Sequence, residues 1–279
     1  VPEETIYDQL VFSGGGTRCF WFGGFVHVLR RARPLHPARI SGVSGGALSS
    51  VSFITHRGRR LLDTMCEAFS HQDFNVAWHD AIDSEHGYTP HQRVYREVVA
   101  SVVDAEAQAI VAAGPALQIL IAHPPDHDWE KLSGTAMTAA YEADVHIRST
   151  PHLEWSQKAG LTTTRVDGRQ AARDGRLVDL ICAAATIPPV FDPPVWDGKP
   201  VIDAGMADQA PMPEPDIGST LILLTRTYRN IPDVPGRRYV MPSEEVPADK
   251  IDFTDPDKLR RTWDLGESDA HDFIATLQS

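Results

Sequence analysis

Leu10-Val11-Phe12-Ser13-Gly14-Gly15-Gly16 and Ile40-Ser41-Gly42-Val43-Ser44-Gly45-Gly46 repeat one event. A short apolar run breaks at glycines and gives way to a stretch of helical character. The first such helix is read over Cys19–Arg30, ending near Pro34. The second leaves Ser44 and runs to about Arg57, with Gly58 expected as its stop. Two strand–glycine–helix units in succession read as βαβ, the opening of a parallel sheet covered by helices. Gly23 and Gly24 weaken the first helix, and a close approach of that helix to the sheet is expected to offset the loss.

Further along, Leu61–Phe69 and Val94–Ala113 are amphipathic, and Lys131–Asp144 also fits a helix. Leu117–Ile121 and Leu161–Val166 read as strands. Leu177–Ala185 reads as a helix halted by Pro188-Pro189. Asp197-Gly198 marks a tight turn between short strands within Val195–Ile202, and Leu221–Thr225 is the last clear core strand. Pro232–Pro256 is expected to wrap the surface, and Trp263–Leu277 to close the chain as a helix. With no repeat and no linker, the reading is one α/β domain over 1–279, carrying a helical and loop insertion around 59–160.

Thirty-eight Asp+Glu against 26 Lys+Arg leave a net charge of -12, which disfavours nucleic acid and anionic lipid surfaces as general partners. The short basic turn Arg57–Arg60 reads as a solvated helix junction. Cys19, Cys66 and Cys182 are far apart, so neither a disulfide framework nor a thiolate zinc site is expected, and a cytoplasmic setting fits. No apolar run spans a bilayer; peripheral membrane contact stays open, as do secretion after removal of a segment ahead of Val1 and the oligomeric state. His123, Asp126, His127 and Asp128, like His86 and His91, match no standard metal spacing, so no metal or other cofactor is expected. The polar stretch Asn75–Gln92 is either a lid or a plain surface loop.

Gly42-Val43-Ser44-Gly45-Gly46 fits the G-x-S-x-G nucleophile elbow, where small neighbours let a strained turn expose the serine Oγ beside helix amides. A serine that merely caps a helix is the plainer reading. Gly14-Gly15-Gly16 between strand and helix can gather amides into a nest for negative charge, as acyl transfer requires. Nucleotide signatures fail there: the dinucleotide pattern wants glycine at Cys19, and no Gly-Lys-Ser/Thr follows. Arg18 opposes the helix dipole and is a structural salt-bridge partner, a partner for an anion or oxyanion, or a clamp on the glycine loop. Asp203 sits just past an apolar strand, where α/β sheets collect functional groups, or is an ordinary Asx-turn residue.

Taken together, Ser13–Arg18, Gly42–Gly46, the run Ile181–Phe191 and Asp197-Gly198-Lys199 with Asp203-Ala204-Gly205 resemble the patatin-like phospholipase family over roughly Tyr7–Leu224. The resemblance implies a three-layer α/β/α fold with a mostly parallel central sheet. It also implies hydrolysis of the carboxylic (acyl) esters of lipids without metal. In that reading Ser44 is the nucleophile and Asp203 its base. Gly15, Gly16 and Thr17 form the oxyanion hole, Arg18 fills the family's basic position, and Gly42 and Gly46 shape the elbow. Acyl transfer or thioester hydrolysis on the same dyad, or an inactive binding protein, are the alternatives. Phe20, Trp21, Phe22, Val190, Phe191 and Trp196 are candidates for an acyl pocket.

Two departures from the family pattern stand out: Ala204 replaces the usual glycine, and Asp208 stands where asparagine is common. A methyl at Ala204 is harmless only if its φ is negative. A Ser44–Asp203–His271 triad also fits the chain order of an α/β-hydrolase. The glycine loop after the first strand argues against it. Replacing His271 by alanine separates the two: a dyad keeps its ester turnover in steady-state assays, and a triad loses it.

Overall fold

The computed structural model describes residues 5–71, 90–124, 150–152, 161–187, 193–250 and 252–277. Three sequence expectations lie outside them: the helix at Lys131–Asp144, the Pro188-Pro189 stop, and the candidate ligands His86, Asp126, His127 and Asp128. So does nearly all of Asn75–Gln92.

The strands are β1 Gln9–Phe12, β2 Arg39–Val43, β3 Ala116–His123, β4 Thr162–Asp167, β5 Val195–Trp196, β6 Lys199–Pro200, β7 Ile202–Asp203, β8 Thr220–Leu223 and β9 Arg237–Val240. The helices are α1 Phe20–Ala32, α2 Gly45–Ile54, α3 Gly58–Ser70, α4 Pro90–Val102, α5 Ala105–Ala113, α6 Gly168–Arg173, α7 Leu177–Ala184 and α8 Pro256–Thr276. Seven strands form one sheet in the order β4-β3-β2-β1-β8-β9, with β7 also pairing β3. The pairs β1–β2, β1–β8, β2–β3 and β8–β9 are parallel; β4 and β7 run antiparallel to β3. A mostly parallel central sheet flanked by helices is the α/β/α architecture.

Alternation along the strands divides the core, as a pleated sheet requires. Leu10, Phe12, Ile40, Leu117, Ile119, Leu221 and Leu223 face the helices, packing with Trp21, Phe25, Leu29, Val51 and Trp263. Val11, Ile222 and Leu224 face the other way, under Ala210 and Tyr228. The strands are buried on both sides, so they read as continuous apolar runs.

Several boundaries depart from the sequence reading. Gly58 does not stop a helix but begins α3, because α2 already ends at Ile54 and the chain reverses through His56. The stretch Val94–Ala113 is two helices. Asp104 breaks it by accepting a hydrogen bond from Ala107 N at 2.9 Å as the cap of α5, an N-cap that favours a new helix over a continued one. Asp104 and Glu106 also hold Arg57 at 2.7 and 2.6 Å, and Asp104 holds Arg60 at 3.4 Å, so two of the turn's three arginines are paired. The surface-wrapping segment Pro232–Pro256 contains β9, which lies beside β8 at the edge of the sheet. The closing helix starts at Pro256, before the expected Trp263, with Asp255 as its cap.

Gly23 and Gly24 do approach a neighbour closely, but it is α8 and not the sheet. A methyl on Gly24 would strike the carbonyl of Trp263, and one on Gly266 would strike the carbonyl of Trp21. Bare backbone on both helices thus lets α1 and α8 touch, and Trp21 Nε1 reaches Asp269 Oδ2 at 2.7 Å inside the contact. Gly24→Ala should lower folding stability by about 1–3 kcal/mol or more through overpacking, read as a drop in urea midpoint. Gly175→Ala, where nothing lies within 4 Å of the added methyl, should cost about 1 kcal/mol from its positive φ alone.

Candidate active site

Two rungs on β3 bring the two sequence candidates together. Val43, the last residue of β2, is in register with Leu120, and Asp203 in β7 is in register with the next residue, Ile121. β2 turns away at Ser44 into α2, and β7 takes up the pairing edge it leaves. Ser44 and Asp203 therefore meet although 158 residues lie between them; their separation of 159 in sequence closes to a 2.6 Å hydrogen bond from Ser44 Oγ to Asp203 Oδ2. Both are buried, at 3% and 1% exposure.

Ser44 has φ 55 and ψ -134 and makes no side-chain cap to α2. The plain helix-cap reading is thus set aside. A non-glycine residue in such a conformation stores about 1–3 kcal/mol of strain, held only where the surroundings enforce it. Gly46 and Gly42 enforce it here: a methyl on Gly42 would come within 2.8 Å of Gly46 O, and one on Gly46 would run into Phe12 O and Ser13 O. The elbow needs both glycines because helix, strand and loop share one narrow corner.

Asp203 is held as firmly. Its Oδ1 accepts from Gly205 N at 2.7 Å, and its own amide donates to Thr186 O at 2.8 Å. Ala204 has a negative φ, so its methyl adds no strain to the turn. Asp208 is turned to His152, with Nδ1 3.2 Å from its Oδ1. His271 is exposed on α8, so the triad's third member lies outside the core.

The glycine loop lies against the elbow: a methyl on Gly45 would meet Gly16 O at 2.7 Å. Gly16 has φ 57, which turns the loop into the short helical turn Gly16–Cys19. Gly14 N donates to Gln209 O, and Thr225 Oγ1 donates to Gly14 O, fixing the loop from the far strand. Among the described residues, no backbone acceptor holds the amides of Gly15 and Gly16. Thr17 differs from them: its amide donates to Lys250 O at 3.2 Å and its hydroxyl to Asp249 O. Arg18 forms no salt bridge among the described residues, and its buried Nε has no partner there.

Lys250, Gln209, Thr225 and Tyr95 were not singled out from the sequence. They carry no local motif and reach the site only through the sheet and the returning C-terminal segment. Lys250 borders the same cavity as Ser44. Burial, helped by Arg18, brings its pKa down to about 7. Burial raises the Cys19 thiol, with Asp203 adding to the effect and Lys250 opposing it. It also keeps the Tyr95 phenol protonated well above its ordinary range. All three cysteines are free.

The cavity has a volume of about 330 Å³. Its walls near Ser44 include Phe12, Phe20, Leu48, Met65 and Phe253. Of the residues expected for an acyl pocket, Phe20 lines it, while Trp21 and Phe22 are fully buried in the core. Trp196 is buried elsewhere, with Arg176 stacked 3.9 Å above its ring. Val190 and Phe191 lie outside the described residues. Described residues include no cluster of three or more His, Cys, Asp or Glu able to hold a metal, and no helix long and apolar enough to cross a membrane.

A family model for patatin-like phospholipases matches residues 10–216, from β1 through the Asp203 turn. The chain belongs to the patatin-like phospholipase family. This patatin-like chain is also similar in structure to VipD from Legionella pneumophila, with a TM-score of 0.49 and 9% identity over 97% of this chain and 67% of that one. No curated protein matches it.

Lys250 gives the site a pH signature. Its pKa is about 7 in the fold and about 10.4 in an unfolded chain. Between those values the unfolded state binds the extra proton, so stability rises with pH; below pH 7 the full cost of burying the ammonium remains. Lys250→Met should be more stable than the parent at neutral and lower pH, with the gap narrowing as pH climbs toward 10. Urea midpoints at several pH values check this, and parallel curves would refute it.

Proposed function

We propose that this patatin-like enzyme hydrolyses acyl esters through Ser44 as nucleophile and Asp203 as its base. The observation that carries the proposal is the buried 2.6 Å hydrogen bond from Ser44 Oγ to Asp203 Oδ2 at the edge of an apolar cavity.

In the first step Ser44 Oγ attacks the ester carbonyl carbon while its proton passes to Asp203. The carbonyl oxygen becomes anionic and is met by the amides of Gly15 and Gly16, with Arg18 adding positive charge beside the loop. Thr17 acts by anchoring that loop to Lys250 and Asp249. Collapse of the tetrahedral intermediate breaks the bond to the leaving oxygen, which takes the proton from Asp203 and departs as the alcohol. Water repeats the cycle on the acyl-serine, giving the carboxylic acid and free Ser44.

A carboxylate is a weak base for serine, so the reaction leans on burial and on preorganised amides. Features already described support both: a buried Ser44–Asp203 pair, a strained serine with no competing helix-cap bond, and a carboxylate fixed by the Gly205 amide. The negative φ of Ala204 favours activity over an inactive binding role, because the departure from the family's glycine leaves Asp203 in place.

Ser44→Ala and Asp203→Asn should each lower kcat/KM for p-nitrophenyl butyrate by about a thousandfold or more, with circular dichroism unchanged. A fluorophosphonate should form one adduct, on Ser44, absent from Ser44→Ala. Turnover surviving either substitution on folded protein would overturn the assignment.

A further inference from the structure

The cavity has two unlike ends. α1 and α2 both start beside Ser44, at the glycine loop and at Gly45, and run alongside it. The ten residues of α2 carry the cavity wall about 15 Å from Ser44, past Val26, Leu48 and Phe53. The helices' far ends, together with the start of α3, supply the other rim: His27, Arg30, Arg31, His56 and Arg59.

This rim holds three arginines and no carboxylate partner. Arg57 and Arg60 in the same turn pair with Asp104 and Glu106. Arg30, Arg31 and Arg59 form no ion pair among the described residues, in a chain of net charge -12. The rim's hydrogen bonds run instead to imidazoles: Arg30 donates to His56 Nε2 at 3.1 Å, and Arg31 to His27 Nε2 at 3.3 Å. Burial keeps His27 in the neutral form that such a bond needs, with the three arginines adding to the effect against Glu267.

Local structure accounts for only part of the cluster: Arg30 lies over the Phe53 ring at 5.7 Å and Arg59 over the Trp263 ring at 5.4 Å, which leaves their charges without a carboxylate. The end of α1 welcomes Arg30 and Arg31, but Arg59 lies in the first turn of α3, where the helix dipole repels it. His56 has φ 60, in the left-handed slot after α2 that glycine fills at less cost. Arg30 is half-buried while Arg31 and Arg59 are exposed at the mouth, and guanidinium groups gathered without a carboxylate are what a carboxylate or phosphate would complete.

Resting on the reading of Ser44 as nucleophile, we infer that the substrate carries a carboxylate at the far end of an apolar, medium-length acyl chain. The ester stands at Ser44 and the carboxylate among Arg30, Arg31 and Arg59. The phosphate of a glycerophospholipid is only a few bonds from its ester and does not span α2. A pantetheine thioester places phosphates at a suitable distance, but its amides would face Val26, Leu48 and Phe53.

Kinetics with p-nitrophenyl decanoate, the mono-p-nitrophenyl ester of decanedioic acid, and decanoyl-coenzyme A test the inference. The parent should prefer the decanedioate ester over the decanoate by about tenfold in kcat/KM. That ratio should fall toward one in Arg30→Gln, in Arg59→Gln and at high salt. A parent ratio at or below one, a ratio indifferent to both arginines, or arginine-dependent preference for the coenzyme A thioester would overturn it. Ser44 labelling by fluorophosphonate in the same preparation shows whether the nucleophile reading still stands. Calorimetry of ethyl decanoate and mono-ethyl decanedioate on Ser44→Ala reads the preference without chemistry. Tighter, salt-sensitive binding of the decanedioate supports the inference, and equal binding removes it.

Discussion

Adjacent rungs on β3 decide the site. Val43 pairs with Leu120 and Asp203 with Ile121, so the residue leaving β2 and the residue ending β7 are neighbours before any side chain is considered. The 2.6 Å bond between Ser44 and Asp203 is the outcome of that register. A slip of one residue in either strand would turn one of the two side chains to the opposite face of the sheet. The helices above the sheet, the Gly205 amide and the Gln209 bridge to the glycine loop all keep those rungs aligned.

Strain and close packing at the elbow work in the same direction. Ser44 is forced into an unfavourable backbone conformation because Gly46 lies against the carbonyls of Phe12 and Ser13. The same corner holds the glycine loop beside α2. A buried serine and carboxylate cost free energy to desolvate, which their mutual hydrogen bond and the Gly205 amide offset. Such a corner persists in the fold because the sheet and the α1–α8 contact carry the stability elsewhere.

Much of this was legible in the chain itself. The two strand–glycine–helix units announce the parallel sheet, and the Gly42–Gly46 and Asp203–Gly205 segments point to the two side chains that meet. What stayed hidden depends on contacts made across long sequence separations. Gly23 and Gly24 signal a close approach, but only packing reveals that the partner is Trp263 on α8. Asp104 splits an apparently continuous helix because Arg57 draws it and Ala107 N is there to be capped. Lys250 carries no motif and enters the site through a returning segment whose composition reads as surface.

The sequence by itself pointed to the fold class and the glycine elbow, because short-range glycine placement and apolar periodicity are local properties, and its resemblance to the family pointed to Ser44 and Asp203 as the candidate dyad. Tertiary structure alone decided that Thr17 is tied to Lys250. It also decided that Arg30, Arg31 and Arg59 share one rim. Charges far apart in sequence become neighbours only when two helices start from one corner and end side by side.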